Sequence, residues 1–365
     1  MAESVLITGG AGFIGSHLAD ELLAAGYSVR ALDSLVEQVH GDSKRPEYLS
    51  DEVELIVGDV RDADAVRGAL EGVEAVFHFA ARVGVGQSMY APGDYTGANS
   101  LGTGVLLDAL LERPVRKLVV ASSMSIYGEG AYEPAEASER TRAQLERGEW
   151  DPRGPNGEEL VPVPTPEEKQ PALASIYALT KYDQERLCLL YGAAYGVPVV
   201  ALRFFNVYGP RQALSNPYTG ALAIFATRLL NGRPPIVYED GGQRRDFVNV
   251  ADVTRACRLT LERGDADGRP VNIGSARSST ILEVAHELGR LLAKEIDPEL
   301  PGTFRAGDIR HCFADVSLAR ETLGFEAEVT LEEGMSALAG WLESRVATDR
   351  FDAAAAELAE RGLTR

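Results

Sequence analysis

The sequence predicts an α/β fold, a doubly wound parallel sheet followed by a smaller α/β domain. Three observations carry this reading. Short β-branched apolar runs alternate with helical patterns through the first half of the chain, as in strand–helix–strand crossovers. The first run, "SVLI", opens into "TGGAGFIG" at residues 8–15, a glycine-rich turn that leads into an amphipathic stretch. After Asn206 the alternation ends, and helical segments mix with short extended pieces.

The elements follow in order. "SVLITG" reads as a strand and residues 13–25 as the helix after it. "YSVRALD" is the second strand, ending at Asp33, and "VELIVGD" the third, ending at Asp59. "AVFHFA" and "KLVVAS" are the fourth and fifth, with a helix over 96–112 between them. A helix over 175–195 leads to the sixth, "VPVVALRFF". Further helices are expected over 219–231, 252–262, 280–292 and 331–343. The chain thus divides into residues 1–205 and 206–345, with a strand and helix near 246–262 returning to the first domain. Residues 129–171, rich in Pro, Glu and Gly and carrying Trp150, form an insertion that is either disordered or a lid. The tail, 346–365, reads as a surface helix.

Composition narrows the function classes. The 365 residues, 45% hydrophobic and 25% charged, suit a globular protein with ample core. A net charge of −19 argues against a nucleic-acid partner, whose phosphates it would repel. An anionic small ligand would need a local basic patch. Cys188, Cys257 and Cys312 are far apart and lack C-x-x-C spacing, so neither a structural zinc nor a disulfide framework is expected, and a reduced cytoplasmic setting is. No signal peptide or membrane span is expected, since no run approaches the ~18 apolar residues of a spanning helix.

Gly9, Gly12 and Gly15 recur at i, i+3 and i+6, and Gly10, Gly12 and Gly15 satisfy G-x-G-x-x-G. Glycines where a strand meets a helix let the backbone approach a pyrophosphate seated on the helix N-terminus. Asp33 stands at the end of the second strand, where an acidic residue accepts hydrogen bonds from the adenosine ribose hydroxyls. Such a carboxylate repels a 2′-phosphate, so NAD is expected over NADP. Arg30, which could favour NADP, points away by strand alternation. Asp59, in "GDVRD", is placed to meet the adenine edge, while Asp62 better suits a helix N-cap.

Chemistry enters with "SIYALTK". Tyr177 and Lys181 form Y-x-x-x-K, and on a helix i and i+4 share a face. A tyrosine titrating near ~10 is too weak a base at neutral pH. An ammonium one turn away, with a cationic nicotinamide nearby, would stabilise its phenolate. "ASSMSIYG" leaves the fifth strand, and a hydroxyl there can hydrogen-bond a substrate oxygen as it becomes a carbonyl. Ser123 is assigned that role, with Ser122 and Ser125 structural.

These segments, with "HFAA", "NSLGT", "LRFFNVYGPRQ", "RRDFVNVADV" and "RAGD", resemble the extended short-chain dehydrogenase/reductases, specifically the NAD-dependent nucleotide-sugar epimerase/dehydratase family. The resemblance covers nearly all of residues 3–345 and implies a Rossmann domain with a smaller substrate domain. It implies an NAD site formed by Gly9, Gly12, Phe13, Ile14, Gly15, Asp33, Asp59, Val60, Phe79, Ala80, Ala81, Asn99, Tyr177, Lys181 and Phe204. Asn99 would support the Tyr–Lys system through solvent or cofactor contacts. Val85, Ser123 and Tyr177 would meet the sugar. Asn206, Arg245 and Arg305 would grip the diphosphate and Asp308 its ribose, which supplies the basic patch that an acidic chain needs.

Two departures refine the expectation. Dehydratases of this family resemble one another in an acid pair at the strand-five serine site, and decarboxylases carry a Glu there. Here the site reads Ser123-Met124-Ser125, without an acid. The second departure is the long insertion, which resembles that of enzymes acting on bacterial deoxysugar nucleotides, such as the dTDP-L-rhamnose 4-epimerase type. The expected activity is therefore a nucleotide-sugar 4-epimerase that works through a transient 4-keto sugar and restores NAD in each turnover. The alternatives are a 4-ketosugar reductase or sugar-nucleotide dehydrogenase, and a dinucleotide-sensing protein without catalysis. The family also implies a homodimer, built on residues 96–111 and 175–195. Cys312, four residues after the Asp of R-x-G-D, would leave room beside the sugar for large substituents. It could equally be a small buried hydrophobe.

Overall fold

The computed structural model describes residues 2–41, 44–213, 220–305, 307–343 and 351–364. In chain order its strands are β1 (Ser4–Thr8), β2 (Ser28–Asp33), β3 (Glu54–Val57), β4 (Ala75–His78), β5 (Lys117–Ser123), β6 (Ala131–Glu133), β7 (Val161–Val163), β8 (Val199–Phe204), β9 (Asn206–Tyr208), β10 (Arg244–Asn249), β11 (Pro270–Ile273), β12 (Ser278–Thr280) and β13 (His311–Cys312). Seven of them form one parallel sheet in the order β11-β8-β5-β4-β1-β2-β3. β5 and β8 are buried along their whole length, which explains their unbroken apolar runs: helices cover both faces. One face packs on Leu18, Leu22, Val253 and Cys257. The other packs on Val66, Leu106, Leu110, Cys188 and Leu189. The strand order reverses beside β1. The crevice beyond the strand C-termini at such a switch point is where α/β sheets bind ligands.

Between Phe204 and Asn206 the chain leaves this sheet and enters a second one, β12-β10-β13 with β9 on β10. Helix Val250–Glu262 lies against the first sheet's core. It packs on helix Phe13–Ala24, with Arg258 2.7 Å from Glu21. The strand expected to return near 246 does not: β10 stays in the second sheet, and β11 is the strand that joins the first. The cause is Asp246. Its buried carboxylate accepts from Ser275 N, Ser275 Oγ, Ala276 N and Ala314 N, which ties β10 to the second unit.

The insertion is ordered, contrary to one of its two readings. β6 and β7 pair antiparallel, and Arg142–Glu146 is helical. Its backbone runs beside β13: Gly130 N donates to His311 O at 2.7 Å, and Thr165 N to Phe313 O at 2.8 Å. The tail contains helix Phe351–Glu360, whose Leu358 is buried near Gly86. Residues 346–350 and 365 of the expected tail helix lie outside the described residues, as does residue 219 of the helix observed at Ala221–Leu230. Among the described residues no helix is long and apolar enough to cross a membrane.

Candidate active site

A cavity of about 490 Å³ runs along the C-terminal edge of the first sheet and into the second unit. Its walls include Gly9, Gly12, Phe13, Ile14, Gly15, Asp33, Asp59, Val60, Phe79, Ala80, Ala81, Val85, Ser123, Tyr177, Lys181, Phe204 and Asn206. Asn99, Arg245, Arg305, Asp308 and Cys312 are not among them. Neither is any residue of the insertion, so the insertion does not cover this cavity as a lid.

The glycine turn has two kinds of glycine. A Cβ at Gly15 would stand 2.3 Å from Gly9 O, and one at Gly10 2.6 Å from Ala31 Cβ, so these two are required by the chain's own packing. Gly12 would meet only Gly9 O, at 3.3 Å. Its missing side chain leaves space on the cavity side. Gly12 is also the N-cap of helix Phe13–Ala24 and offers no side-chain cap, so the first N–H groups of the helix are left for a ligand. Asp33 lies just beside this turn. Its Oδ2 accepts from Ala11 N (3.0 Å) and its Oδ1 from Leu35 N (2.9 Å), leaving one lone pair on each oxygen. Asp59 is held by Arg61, whose guanidinium keeps its carboxyl below the usual range. Among the described residues, two buried polar atoms on the cavity wall have no partner, His40 Nδ1 and Asn206 Oδ1. They belong to the two ends of the wall, His40 near Asp33 and Asn206 where the chain enters the second unit. A dinucleotide fits this wall: backbone donors for the pyrophosphate, a carboxylate for the ribose, and the rings of Phe79 and Phe204, edge-to-face with each other.

Ser123 N-caps the short turn Met124–Tyr127. Its Oγ accepts from Ser125 N at 3.2 Å and from Ser125 Oγ at 2.9 Å. Both of its lone pairs are then occupied, and what remains is its proton. Ser123 stands beside Tyr177 on the cavity wall, and its hydroxyl favours the phenolate. Ser125, read from the sequence as merely structural, thus orients Ser123. Ser122 is structural as expected, donating to Glu185 Oε2 at 2.6 Å.

Tyr177 differs from expectation in one respect. Burial pushes its phenol up, and Lys181 is not among the groups that lower it. The Lys181 ammonium turns instead to Gln184 Oε1, 2.8 Å away. The amide orientation of Gln184 is fixed by chemistry: Lys181 only donates, and Ala80 O, 3.3 Å from Gln184 Nε2, only accepts. Behind Gln184 lie Thr103, His78 and Thr8, all fully buried and mutually hydrogen-bonded. Burial and the Lys181 charge lower His78 to about 3, so its imidazole is neutral. Burial lowers Lys181 itself to about 8. Asn99 sits in the π-helical turn Thr96–Leu101 and binds Arg82 N, Arg82 O and Thr180 Oγ1, with no direct bond to Tyr177 or Lys181.

Arg305 pairs with Asp308 at 3.0 Å and lies over the Tyr238 ring at 4.7 Å. Arg245 is bonded to the carbonyls of Arg244 and Arg310 and to Ile309 O. Cys312 is buried in a cluster with Ile126, Tyr127, Phe205 and Ala314, its thiol 3.8 Å from Thr165 Oγ1. It borders the core and the insertion, which corrects its placement beside the sugar. Strand β13 pairs with β10 on one side and runs beside Thr165 on the other, so neither neighbour is the cavity. His40 and Gln184 were not assigned from the sequence, and Ser125 was assigned only a structural role. No motif marks His40 or Gln184, whose placement depends on side-chain direction and on partners such as Asp33 and His78.

The profile of the NAD dependent epimerase/dehydratase family matches residues 5–274. A dTDP-L-rhamnose 4-epimerase of Burkholderia thailandensis is 35% identical over 353 residues, covering 93% of this chain and 95% of that protein. A putative UDP-glucose 4-epimerase of Methanocaldococcus jannaschii is 31% identical, covering 93% and 98%. The crystal structure of the Thermus thermophilus UDP-glucose 4-epimerase in complex with NAD superposes with a TM-score of 0.76 at 31% identity, covering 94% of this chain and all of that one.

Proposed function

The chain belongs to the NAD dependent epimerase/dehydratase family, and from that premise we propose that it inverts C4 of a sugar carried on a nucleoside diphosphate. The observation that carries the reading is Ser123, oriented by Ser125, on one cavity wall with Tyr177 and Lys181, continuous with the glycine turn and free of an acid at the serine site. NAD would be held by the glycine turn, Asp33, Phe79–Ala81 and Lys181, and when bound would supply the acceptor and donor of a hydride at C4. Tyr177 takes the proton of the 4-hydroxyl, and Ser123 donates to the oxygen as it becomes a carbonyl. Without an acid beside C6, nothing expels the 6-hydroxyl, and the 4-keto sugar is left to turn within the cavity. Asn206, on the cavity wall, supports binding of the diphosphate at the inner end through its side-chain N–H, which can donate to a phosphate oxygen. Arg245, Arg305 and Asp308 are the candidate outer contacts. The same Tyr177 returns the proton after the sugar has presented its other face, so no external redox partner is consumed.

The test uses protein as purified, with no added cofactor, and dTDP-L-rhamnose and UDP-glucose as trial substrates. Chromatography should reveal the C4 epimer of at least one of them. Tyr177→Phe should lose about 10²–10⁴-fold in turnover while its NAD content is unchanged. Stoichiometric consumption of added NADH would instead make the protein a reductase.

Exposed apolar side chains support a homodimer. Leu101 is 58% exposed, Leu179 50% and Leu190 57%. They lie on the segments Thr96–Leu101 and Ile176–Tyr195, which pack on each other. Leu179 and Leu190 are three turns apart on one face. A cytoplasmic setting is supported by three free, buried cysteines.

A further inference from the structure

Glu239 is a buried carboxylate in the left-handed region, at φ 56°, where a non-glycine residue is strained. Two guanidiniums hold it. Arg140 Nη1 donates to Oε1 at 2.8 Å and Arg310 Nη1 to Oε2 at 3.0 Å, and all three side chains are at most 5% exposed. Arg140 belongs to the insertion, Glu239 follows Tyr238, and Arg310 follows the R-A-G-D loop by two residues. Arg140 does more than pair. Its Nη1 also reaches Trp150 O at 3.0 Å, and its Nη2 donates to the main-chain oxygen of Asp308 at 2.8 Å. A second layer repeats the link: Glu129 of the insertion accepts from Arg310 N (2.8 Å) and His311 N (3.1 Å), and Arg310 Nε donates to Asp151 at 2.8 Å. The Trp150 ring lies 6.4 Å from that of Phe304, which precedes Arg305.

We infer that the insertion is a buttress for the nucleotide-holding loop, and that Arg140 is the positioning residue through which it acts. The inference rests on the reading of Arg305 and Asp308 as nucleotide contacts. The planar fork of Arg140 bonds at once to the insertion, to the residue after Tyr238, and to the loop that carries Arg305 and Asp308. Tyr238 and Arg305 are themselves stacked, so the fork fixes both partners of that stack. A lysine offers one compact ammonium and cannot make the same three bonds in one plane. Arg140 touches neither the cavity wall nor Ser123, Tyr177 or Lys181. Its loss should therefore weaken nucleotide binding and leave the chemical step in place.

The test measures UDP and dTDP binding to the NAD-loaded protein. In a Trp341→Phe background, Trp150 is the single tryptophan of the chain and reports from within the buttress. Arg140→Ala and the milder Arg140→Lys should each bind the tighter of the two nucleotides about 10-fold more weakly. NAD content should match that of the parent, KM for the sugar nucleotide should rise, and kcat should stay within about twofold. If Arg140→Ala does not fold, Glu239→Gly supplies the second cut, since it removes the shared carboxylate and the left-handed strain together. Folded variants that bind UDP and dTDP as the parent does overturn the buttress. Parallel loss of NAD and nucleotide overturns it too, in favour of a general fold contact. A parent that binds neither nucleotide overturns the reading of Arg305 and Asp308, and the buttress with it.

Discussion

Lys181 is an ammonium kept almost out of water, 3% exposed, with Gln184 Oε1 as its hydrogen-bond partner. Burial lowers its pKa from 10.5 to about 8. A lysine depressed in the fold binds fewer protons there than in the unfolded chain, so stability rises with pH between those two values. Below about pH 8 the full cost is present, about 3 kcal/mol at 1.36 kcal/mol per unit. Lys181→Met should therefore melt higher than the parent at pH 7 when both are stripped of NAD. The gap should close as pH rises from 8 to 10.5, and an equal melting temperature at pH 7 would refute the assignment. The Y-x-x-x-K spacing made Tyr177 and Lys181 legible in the sequence. The direction of the lysine was not, because Gln184 draws it away from the phenol and is itself held by His78 and Thr103, from two other segments. The burial of Cys312 was hidden for a similar reason: its side chain is covered by Thr165, 147 residues earlier.

Among the elements, the turn after β1 allows two functions of glycine to be separated. Gly15→Ala places a carbon 2.3 Å from Gly9 O, so main chain must shift. A loss of about 1–3 kcal/mol is expected, as for overpacking generally. Gly12→Ala meets only a contact of 3.3 Å and should melt close to the parent, yet retain less NAD because its methyl fills the cavity wall. Calorimetry and the NAD content of each purified variant check the pair. If Gly12→Ala held a full complement of NAD, the glycine turn would not be where the pyrophosphate sits. The strands around this turn were legible because a sheet buried on both faces demands unbroken apolar runs. The insertion was not. Its proline- and glutamate-rich composition resembles an unstructured loop, and its order comes from ion pairs that span far along the chain, such as Arg140 with Glu239, 99 residues apart. β10 likewise reads as a strand, but its sheet is chosen by Asp246 and the distant amides it accepts from.

On the scale of the molecule, Leu101, Leu179 and Leu190 predict a second copy. Light scattering at micromolar concentration should give twice the chain mass of 39.2 kDa. Leu190→Glu, a charge on that face, should shift the equilibrium to monomer; a parent that already runs as a monomer would contradict the dimer. The rhythm of the sequence changes after Asn206, where the chain passes from the first sheet to the second. The return of β11 was not legible, because four residues carry too little pattern to declare a sheet. The pairing of cations also bears on how fast a substrate arrives. Arg305 is neutralised by Asp308, and Arg245 is turned onto carbonyls of its own chain, while the whole carries −19. A dianionic sugar nucleotide is therefore repelled at long range and captured only on close approach. Added salt should first speed the encounter, as the screening length shrinks from about 30 Å at 0.01 M to about 10 Å at 0.1 M. Toward 1 M, at about 3 Å, it should also weaken capture. Second-order rates of catalysis measured against sodium chloride should pass through a maximum, whereas a protein that steers its substrate by attraction would show only a decline.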